Sequence, residues 1–347
     1  MENHNIVLRV QSGKRQLSAE KIADIEKQVA SHLGELQRGF ESGIYDENTM
    51  ENIDETHFVV DFDNGKTLGF GGENKVKYAD VVSGGDGMTM VVRISGGPSA
   101  HLLPPMMIFS NDARSYPIRG VSDDVDGVCY CTGPKGWMDK RLLREYLREP
   151  RAQRPDRLGP KKHIFLDNCS GHLEEDECTE ELEKLNASLK FFPPNATDLC
   201  QPADSFVIAK IKDDWRRLWN EKKIELIEGN AWQKKVRSDG AWSGKLKNPG
   251  KIYFLTLAAK AVRRVNAQRD KNGLNYARKA KIRCGLSLDV DGKWRVEQLS
   301  FHLQEIIRKY PDEFTGKHVG SASLSGEGDA STRPPSTSTS SITEAVV

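Results

Sequence analysis

Three aspartates stand where strand-like or helical patterns begin or end. Asp54 lies in NIDETHF, just before a strand-like run, Asp167 ends the apolar run HIFLD, and Asp204 lies where PPNATDLCQPAD leads into a long helical pattern. Strand ends and the loops beyond them are where α/β proteins commonly gather functional groups. Three carboxylates in one place repel one another unless a cation neutralises them. The pattern therefore indicates a site for Mg²⁺ or Mn²⁺, which prefer oxygen ligands.

The aspartates also have a simpler interpretation, because a single Asp at a strand end is often a turn or cap residue. Asp61 and Asp63, which alternate in FVVDFD, are rival candidates for the first ligand. If three carboxylates do act together, two ions about 4 Å apart could clamp the attacking and leaving oxygens of a phosphodiester. The chemistry indicated is then metal-dependent phosphodiester cleavage.

The elements that would position these residues can be inferred from hydrophobic periodicity. A hairpin is predicted at Asn64-Gly65, the strongest short turn signal in the chain. We predict helices over 18–40, 138–149, 174–186 and 204–228, and strands within 53–110 and over 162–167 and 188–192. This order of strands and helices predicts a mixed α/β domain with a central sheet.

The composition excludes several classes of protein. Hydrophobic residues make up 37% of the chain and charged residues 29%, which allows a core but leaves segments outside it. No apolar run approaches the roughly 20 residues that span a bilayer, and MENHNIVLRV has no secretory apolar region. Six cysteines in 347 residues do not form a disulfide framework. We therefore expect a soluble intracellular protein with no membrane partner.

The net charge of +1 conceals a strong asymmetry along the chain. Residues 205–310 carry 25 Lys and Arg against 11 Asp and Glu, whereas residues 1–204 carry 24 against 34. A basic half indicates either a surface for an acidic partner or the solvated face of helices.

Three segments in the chain match an ordered set of family motifs: NIDETHF, LDNCSGH and FFPPNATDLCQPADSFVIAKIK. Together they resemble the DDE-type transposase catalytic domain of the pogo-like branch of the mariner superfamily. In that family a D-E-T element, a D-N-x-x-x-H element and a P-P-N-x-T-x-x-x-Q-P-x-D element follow in this order. KGWMDKRLLREYL, which lies between the first and second of these segments, is also similar to a segment of the family, and the resemblance covers about residues 45 to 225.

The resemblance implies a ribonuclease H-like fold with Asp54 on its first strand, Asp167 on its fourth and Asp204 as the third acidic ligand. It implies that these aspartates hold two Mg²⁺ or Mn²⁺ ions and act on DNA. The 36 residues between Asp167 and Asp204 are similar to the superfamily's spacing. Family members also carry helix-turn-helix modules before the catalytic domain. The residues before Asp54 hold one convincing helix, so we expect no pair of such modules there.

Further residues gain roles in this context. Asn168 could orient Asp167, His172 could contact a phosphate or cap a helix, and Gln201 could shape the approach to Asp204. The predicted nucleic-acid contacts follow Asp204 directly: Lys210, Lys212, Arg216, Arg217, Lys222 and Lys223. Four interleaved tryptophans could stack on bases, although helical spacing more often indicates a core: Trp215, Trp219, Trp232 and Trp242.

We therefore expect a helical lead-in over 1–44, a ribonuclease H-like DDE endonuclease domain over 45–228, a basic helical region over 229–314 and a disordered Ser/Thr-rich tail over 315–347. The expected function is metal-dependent DNA cleavage or strand transfer in the nucleus, with no small-molecule cofactor, by a chain that could self-associate. The alternative is a catalytically silent, truncated or domesticated transposase-derived DNA-binding protein.

Two other chemistries are weaker alternatives. Cys129-x-Cys131 and Cys169-x-x-His172 supply zinc-type ligands, but their spacing fits no standard zinc pattern. Ser170 and His172 could serve a hydrolase, but the G-x-S-x-G elbow is absent.

Overall fold

A computed structural model of the chain describes residues 17–58, 87–152, 159–168, 175–232 and 246–317. The strands within these residues are β1 (Met50–Phe58), β2 (Met88–Ile94), β3 (Met106–Ser110), β4 (Cys129–Gly133), β5 (Lys162–Leu166) and β6 (Ala187–Phe191). The helices are α1 (Ala19–Glu41), α2 (Lys140–Arg148), α3 (Thr179–Leu185), α4 (Thr197–Cys200), α5 (Ile208–Glu228), α6 (Lys251–Ala267), α7 (Tyr276–Arg283), α8 (Phe301–Lys309) and α9 (Pro311–Thr315).

The six described strands form one mixed sheet in the order β4-β3-β2-β1-β5-β6. β2 runs antiparallel to both neighbours, while β3 with β4, β1 with β5 and β5 with β6 are parallel pairs. β2 is buried along its whole length, as expected of a central strand covered on both faces. The sheet and its flanking helices confirm the predicted mixed α/β fold with a central sheet.

Two cores cover the faces of the sheet. Ile53 packs with the buried side chains of α2 and α3 on one face. Phe58 packs with those of α5 and α6 on the other, where its ring lies 4.4 Å from that of Trp215. Trp215 and Trp219 are both buried, which leaves neither of them available to stack on bases. Their helical spacing thus reflects the core, while Trp242 lies outside the described residues.

A third core joins the two ends of the described chain. α1 begins after Ser18, whose hydroxyl accepts a hydrogen bond from the backbone N–H of Lys21 and so caps the helix. The apolar side of α1 packs with α8 and α9 against Phe165 of β5 and Phe192. The N-terminal helix and the last helices therefore form one layer beside the β5–β6 part of the sheet.

Buried basic side chains from α7 hold the N-terminal end of β1 in place. The ammonium group of Lys281 donates to the backbone oxygen of Met50 at 2.6 Å and to that of Ser95 at 3.3 Å. Its complete burial lowers its pKa to about 7. Arg278 forms a buried ion pair with Glu47 at 2.5 Å. A helix late in the chain therefore anchors the strand that carries Asp54.

Several element boundaries differ from the sequence predictions. Asp54 lies within β1, as the resemblance implies, and not before the strand as the hydrophobic pattern predicted, because the polar start of NIDETHF is buried and paired with β2. Asp167 follows the fifth described strand rather than the fourth, because β4 extends the sheet at one edge. The long helix opens with a π-helical turn over Ala203–Val207. The hairpin predicted at Asn64-Gly65 lies outside the described residues.

Among the residues that the structure describes, no helix has both the length and the apolar character needed to cross a membrane.

Candidate active site

The three predicted carboxylates come from three different elements. Asp54 is on β1, Asp167 directly follows β5, and Asp204 lies in the π-helical turn before α5. The parallel register pairs Asn52 with Phe165. Asp54 lies two residues after Asn52, and Asp167 lies two residues after Phe165. The same end of two neighbouring parallel strands therefore carries both aspartates.

One buried amide connects all three elements. The side-chain nitrogen of Asn52 donates to the backbone oxygen of Phe165 at 3.0 Å, and its side-chain oxygen accepts from the backbone N–H of Ala203 at 3.0 Å. Asn52 is fully buried and lies two residues before Asp54 on the same face of the strand. Its partners lie two residues before Asp167 and one residue before Asp204. Asn52 thus sets the spacing between the three acid-bearing elements.

The environment of Asp54 disfavours its charge. Only 8% of the residue is exposed, and this burial raises the pKa of its carboxyl group well above the usual range. The negative charges of Glu55, Asp204 and Asp167 raise it further. The backbone N–H of Glu55, which donates to the Asp54 carboxylate at 2.8 Å, opposes the shift. A cation bound here would relieve both the desolvation and the repulsion.

Asp204 and Lys212 are the more accessible charged groups of the site. The pKa of Asp204 is raised by partial burial of its carboxyl group and by Asp198, with a smaller contribution from Asp167. Lys212 follows on α5, half-buried, and lowers the pKa of Asp204. Burial lowers the pKa of Lys212 itself, while Asp204 and Asp54 raise it. A positive side chain therefore faces the carboxylates from the helix.

The donor set is made of carboxylate oxygens, which suits a hard divalent cation such as Mg²⁺ or Mn²⁺. Asp54, Asp167 and Asp204 are close enough that the charges of the other two raise the pKa of Asp54. Among the described residues, however, no group of three His, Cys, Asp or Glu side chains is arranged to hold a metal ion. The chemistry of the donors fits the predicted ions, although the described side chains do not form a ready-made set of metal ligands.

The predicted supporting residues have different environments. Asn168 is exposed beside Asp167. Gln201 is fully buried, and within the described part of the chain neither its amide nitrogen nor its amide oxygen has a hydrogen-bond partner. His172 and the rival ligands Asp61 and Asp63 lie outside the described residues.

The predicted DNA-contacting side chains line α5 and mostly form local interactions. Arg216 pairs with Asp213 and Arg217 with Asp214, each at 3.0 Å. Lys222 pairs with Glu225 at 2.5 Å, and Lys210 lies over the ring of Tyr276. Lys223 is half-buried near the end of the helix. The Arg216–Asp213 pair is exposed to solvent, and because such ion pairs are weak, Arg216 can exchange its partner for a phosphate. Asp214, the partner of Arg217, is buried.

Asn52, His57 and Trp137 were missed by the sequence reasoning. The ring of His57, near the end of β1, stacks on that of Trp137 with centroids 5.3 Å apart. A signal for Asn52 was present, since it lies two residues before Asp54 and so shares its strand face. Trp137 stands in the quoted segment KGWMDKRLLREYL, but only the structure shows that its ring is exposed.

The first pair of candidate zinc ligands is not accessible to a metal ion. Cys129 and Cys131 are buried in β4 at the edge of the described sheet, and burial raises the pKa of both thiols. Neutral thiols in a packed strand are poor zinc ligands. Cys169, Ser170 and His172 lie outside the described residues, so the hydrolase alternative stays untested.

The match to a family model agrees with the resemblance at a coarser level. A family model described as DDE superfamily endonuclease matches residues 95–269, about half of the chain, including Asp167 and Asp204. Among solved structures, "Mos1 transposase paired-end complex with left transposon end" is 13% identical, covering 84% of this chain and 69% of that one, with a TM-score of 0.40. "Crystal structure of the catalytic domain of Mos1 mariner transposase" is 10% identical, covering 79% and 98%, with a TM-score of 0.33. No curated protein matches the chain.

Proposed function

The chain belongs to the DDE superfamily endonuclease family, and from this premise we propose that it cleaves DNA phosphodiester bonds or transfers DNA strands in a metal-dependent reaction. The observation that carries the proposal is the placement of Asp54, Asp167 and Asp204. They lie on three separate elements and are close enough for their charges to interact. Carboxylates are rarely collected in this way without a cation to bind.

In the proposed site, Asp54, Asp167 and Asp204 would hold two Mg²⁺ or Mn²⁺ ions. Such ions activate the attacking oxygen and stabilise the leaving oxygen of a phosphodiester. The residues of the chain would supply the framework. Asn52 holds the acid-bearing elements at fixed spacing through its bonds to Phe165 and Ala203. A water molecule or the terminal hydroxyl of a DNA strand would be the nucleophile, so no covalent bond to the protein is needed.

The DNA would approach along α5. Lys212 faces the carboxylates, and Lys210, Arg216, Arg217, Lys222 and Lys223 follow on the same helix. Lys and Arg bind phosphates without reading the base sequence, so binding of this kind weakens steeply as salt rises. We also propose a nuclear location, because that is where such a DNA substrate is found.

Within the family, we propose that the chain belongs to the pogo-like branch. The D-E-T element at Asp54, the D-N-x-x-x-H element at Asp167 and the third acidic residue, Asp204 rather than a glutamate, support this assignment.

A catalytically silent DNA-binding protein is the second candidate function. One observation favours it: among the described residues, the carboxylates do not form a ready-made group of metal ligands. A protein that keeps the basic face of α5 but not the metal site would bind DNA without cutting it.

Plasmid nicking in Mg²⁺ or Mn²⁺ tests the proposal. We would compare the unchanged chain with Asp167→Asn, Asp204→Asn and a control, Asp312→Asn, in an exposed residue of α9. We expect the unchanged chain and the control to nick the plasmid, and the other two variants to bind DNA without nicking it. Salt-sensitive DNA binding with no nicking by any protein would support the silent alternative. Equal nicking by all four would refute the assignment of the site.

A further inference from the structure

Gln201 is a fully buried side chain whose hydrogen-bonding groups are not used within the described part of the chain. Neither its amide nitrogen nor its amide oxygen has a hydrogen-bond partner there. A buried amide without partners lowers stability, and such groups are rare in native proteins. An apolar side chain of the same length would be more stable at this position. The amide therefore points to a contact that forms in another arrangement of the site.

Gln201 lies one helical turn before Asp204. The backbone oxygen of Gln201 accepts from the backbone N–H of Ser205 at 2.9 Å, and its own N–H donates to the backbone oxygen of Thr197 at 3.0 Å. The hydroxyl of Ser205 also donates to the backbone oxygen of Asp198 at 3.2 Å. The chain is therefore coiled on both sides of Gln201. Side chains three positions apart on such a turn are neighbours, which places the amide of Gln201 next to the element that carries Asp204.

The turn that carries Asp204 is wider than an α-helical turn. The backbone N–H of Ile208 donates to the backbone oxygen of Ala203, five residues earlier, which closes the π-helical turn. Ala203 is held by Asn52 of β1, and Val207 is buried in the core with α5 and α6. Asp204 thus lies between two fixed points in a turn that contains more residues than an α-helical turn. Turns of this kind are frequent at functional sites, and this one lets Asp204 move while its ends stay in place.

A cation bound by the three aspartates would draw Asp204 towards the sheet. Asp204 is exposed, and among the described residues the carboxylates do not form a ready-made group of metal ligands. Asp54 is on β1 and Asp167 directly follows β5, so sharing a cation with them brings the Asp204 carboxylate inward. Gln201 lies on that inner side, because it is fully buried one turn earlier. Carboxylates that bind metal ions are usually held by a further hydrogen-bonding group that fixes their orientation.

We propose that Gln201 is a positioning residue, whose side-chain N–H donates to one carboxylate oxygen of Asp204 when the site binds Mg²⁺ or Mn²⁺. The other carboxylate oxygen is left for the cation. The amide then strengthens cation binding, although it lowers the stability of the fold as long as it has no partner. This inference rests on the proposed metal-dependent function, and it gives the buried amide a role that packing alone does not.

The test measures Mn²⁺ binding by the full chain without DNA, so that it does not depend on nicking. The electron paramagnetic resonance signal of free Mn²⁺ gives the Kd in a titration. Gln201→Met replaces the amide with an apolar side chain of similar length, and Gln201→Leu is a second apolar replacement. Gln28→Met is the matched control, because the amide of Gln28 on α1 donates to the exposed Asp24 at 2.8 Å. Asp204→Asn shows whether Mn²⁺ binds at the carboxylates.

We expect the unchanged chain and Gln28→Met to bind Mn²⁺ with the same Kd, and Asp204→Asn to lose most of the binding. The Kd of both Gln201 variants should rise about tenfold. Their stability in urea without Mn²⁺ should be equal to that of the unchanged chain or higher. A weaker affinity for the cation in a variant that is at least as stable cannot come from a general loosening of the fold.

Two results would overturn the inference while leaving the proposed function intact, provided that Asp204→Asn loses Mn²⁺. One is an unchanged Kd in the Gln201 variants. The other is a loss of stability in both variants without Mn²⁺, which would show that the amide has a partner that does not depend on the cation. If Mn²⁺ did not bind the unchanged chain, or bound Asp204→Asn equally well, the inference and the proposed function would fail together.

Discussion

Replacing Asn52 with leucine should loosen the site without unfolding the protein. The substitution removes the acceptor of the Ala203 N–H and the side-chain donor to the Phe165 oxygen, both in a fully buried position. A buried donor left without a partner costs about 1–3 kcal/mol, and a carbonyl that keeps its sheet bond costs less. Leucine has the same branching and number of side-chain heavy atoms as asparagine, which limits the additional packing cost. We therefore expect the free energy of unfolding to fall by about 2–4 kcal/mol, less than the total stability of a typical domain.

Urea denaturation measures this change, and plasmid nicking measures its effect on the site. The control is Asn272→Leu, in an exposed residue of a turn, where a surface substitution should change stability by less than about 0.5 kcal/mol. Nicking should be lost in Asn52→Leu under conditions in which the variant is still folded and still binds DNA. Full nicking by a destabilised variant would show that Asn52 does not position the carboxylates. A variant as stable as the unchanged chain would show that its hydrogen bonds contribute no net stability.

Two further substitutions test buried polar groups. Gln201→Met should leave the free energy of unfolding unchanged or raise it by about 1 kcal/mol, because neither amide atom of Gln201 has a hydrogen-bond partner among the described residues. A loss of stability in urea denaturation would contradict this expectation. His32, packed edge-on against Phe165 and Phe192, has its pKa lowered by burial to about 4 from 6.5. As pH falls from 6.5 to 4 the unfolded chain takes up a proton that the folded chain does not, so stability should drop by up to about 3 kcal/mol. In His32→Leu, the free energy of unfolding from urea denaturation should change less between pH 6.5 and 4 than in the unchanged chain. An unchanged pH dependence would show that His32 does not cause the loss of stability.

The sequence predicted the parts of the site that depend on local patterns. The strand before Asp167 is a short apolar run, and apolar residues recur at helical spacing after Asp204, so both elements could be predicted from the hydrophobic pattern alone. The helical spacing of Trp215 and Trp219 in an amphipathic segment likewise predicts that both side chains are buried in the core, and the structure confirms this.

Features that depend on distant partners could not be predicted. Asn52 contacts residues 113 and 151 positions further along the chain, and no local pattern encodes such pairs. The hydrophobic pattern did not predict the first residues of β1, because Glu51 and Asn52 are polar and Asp54 follows them. They are buried all the same, and Glu51 is paired with Arg93 at 2.5 Å. Polar residues satisfied by remote groups look exposed in a sequence, although in a fold they can lie at its centre.

The anchor that α7 provides for β1 has a consequence for how the protein is made. Lys281 and its acceptor Met50 are 231 residues apart in sequence, so most of the polypeptide is synthesised between them. Contacts of such separation form late, because the intervening chain must first be ordered. While the chain is still on the ribosome, the strand that carries Asp54 lacks the cation that holds its first end. An incomplete product that stops before α7 therefore has all three aspartates and the Asn52 contacts between their elements, but it lacks the Lys281 anchor of β1, and we expect it to cut DNA less well than the full chain.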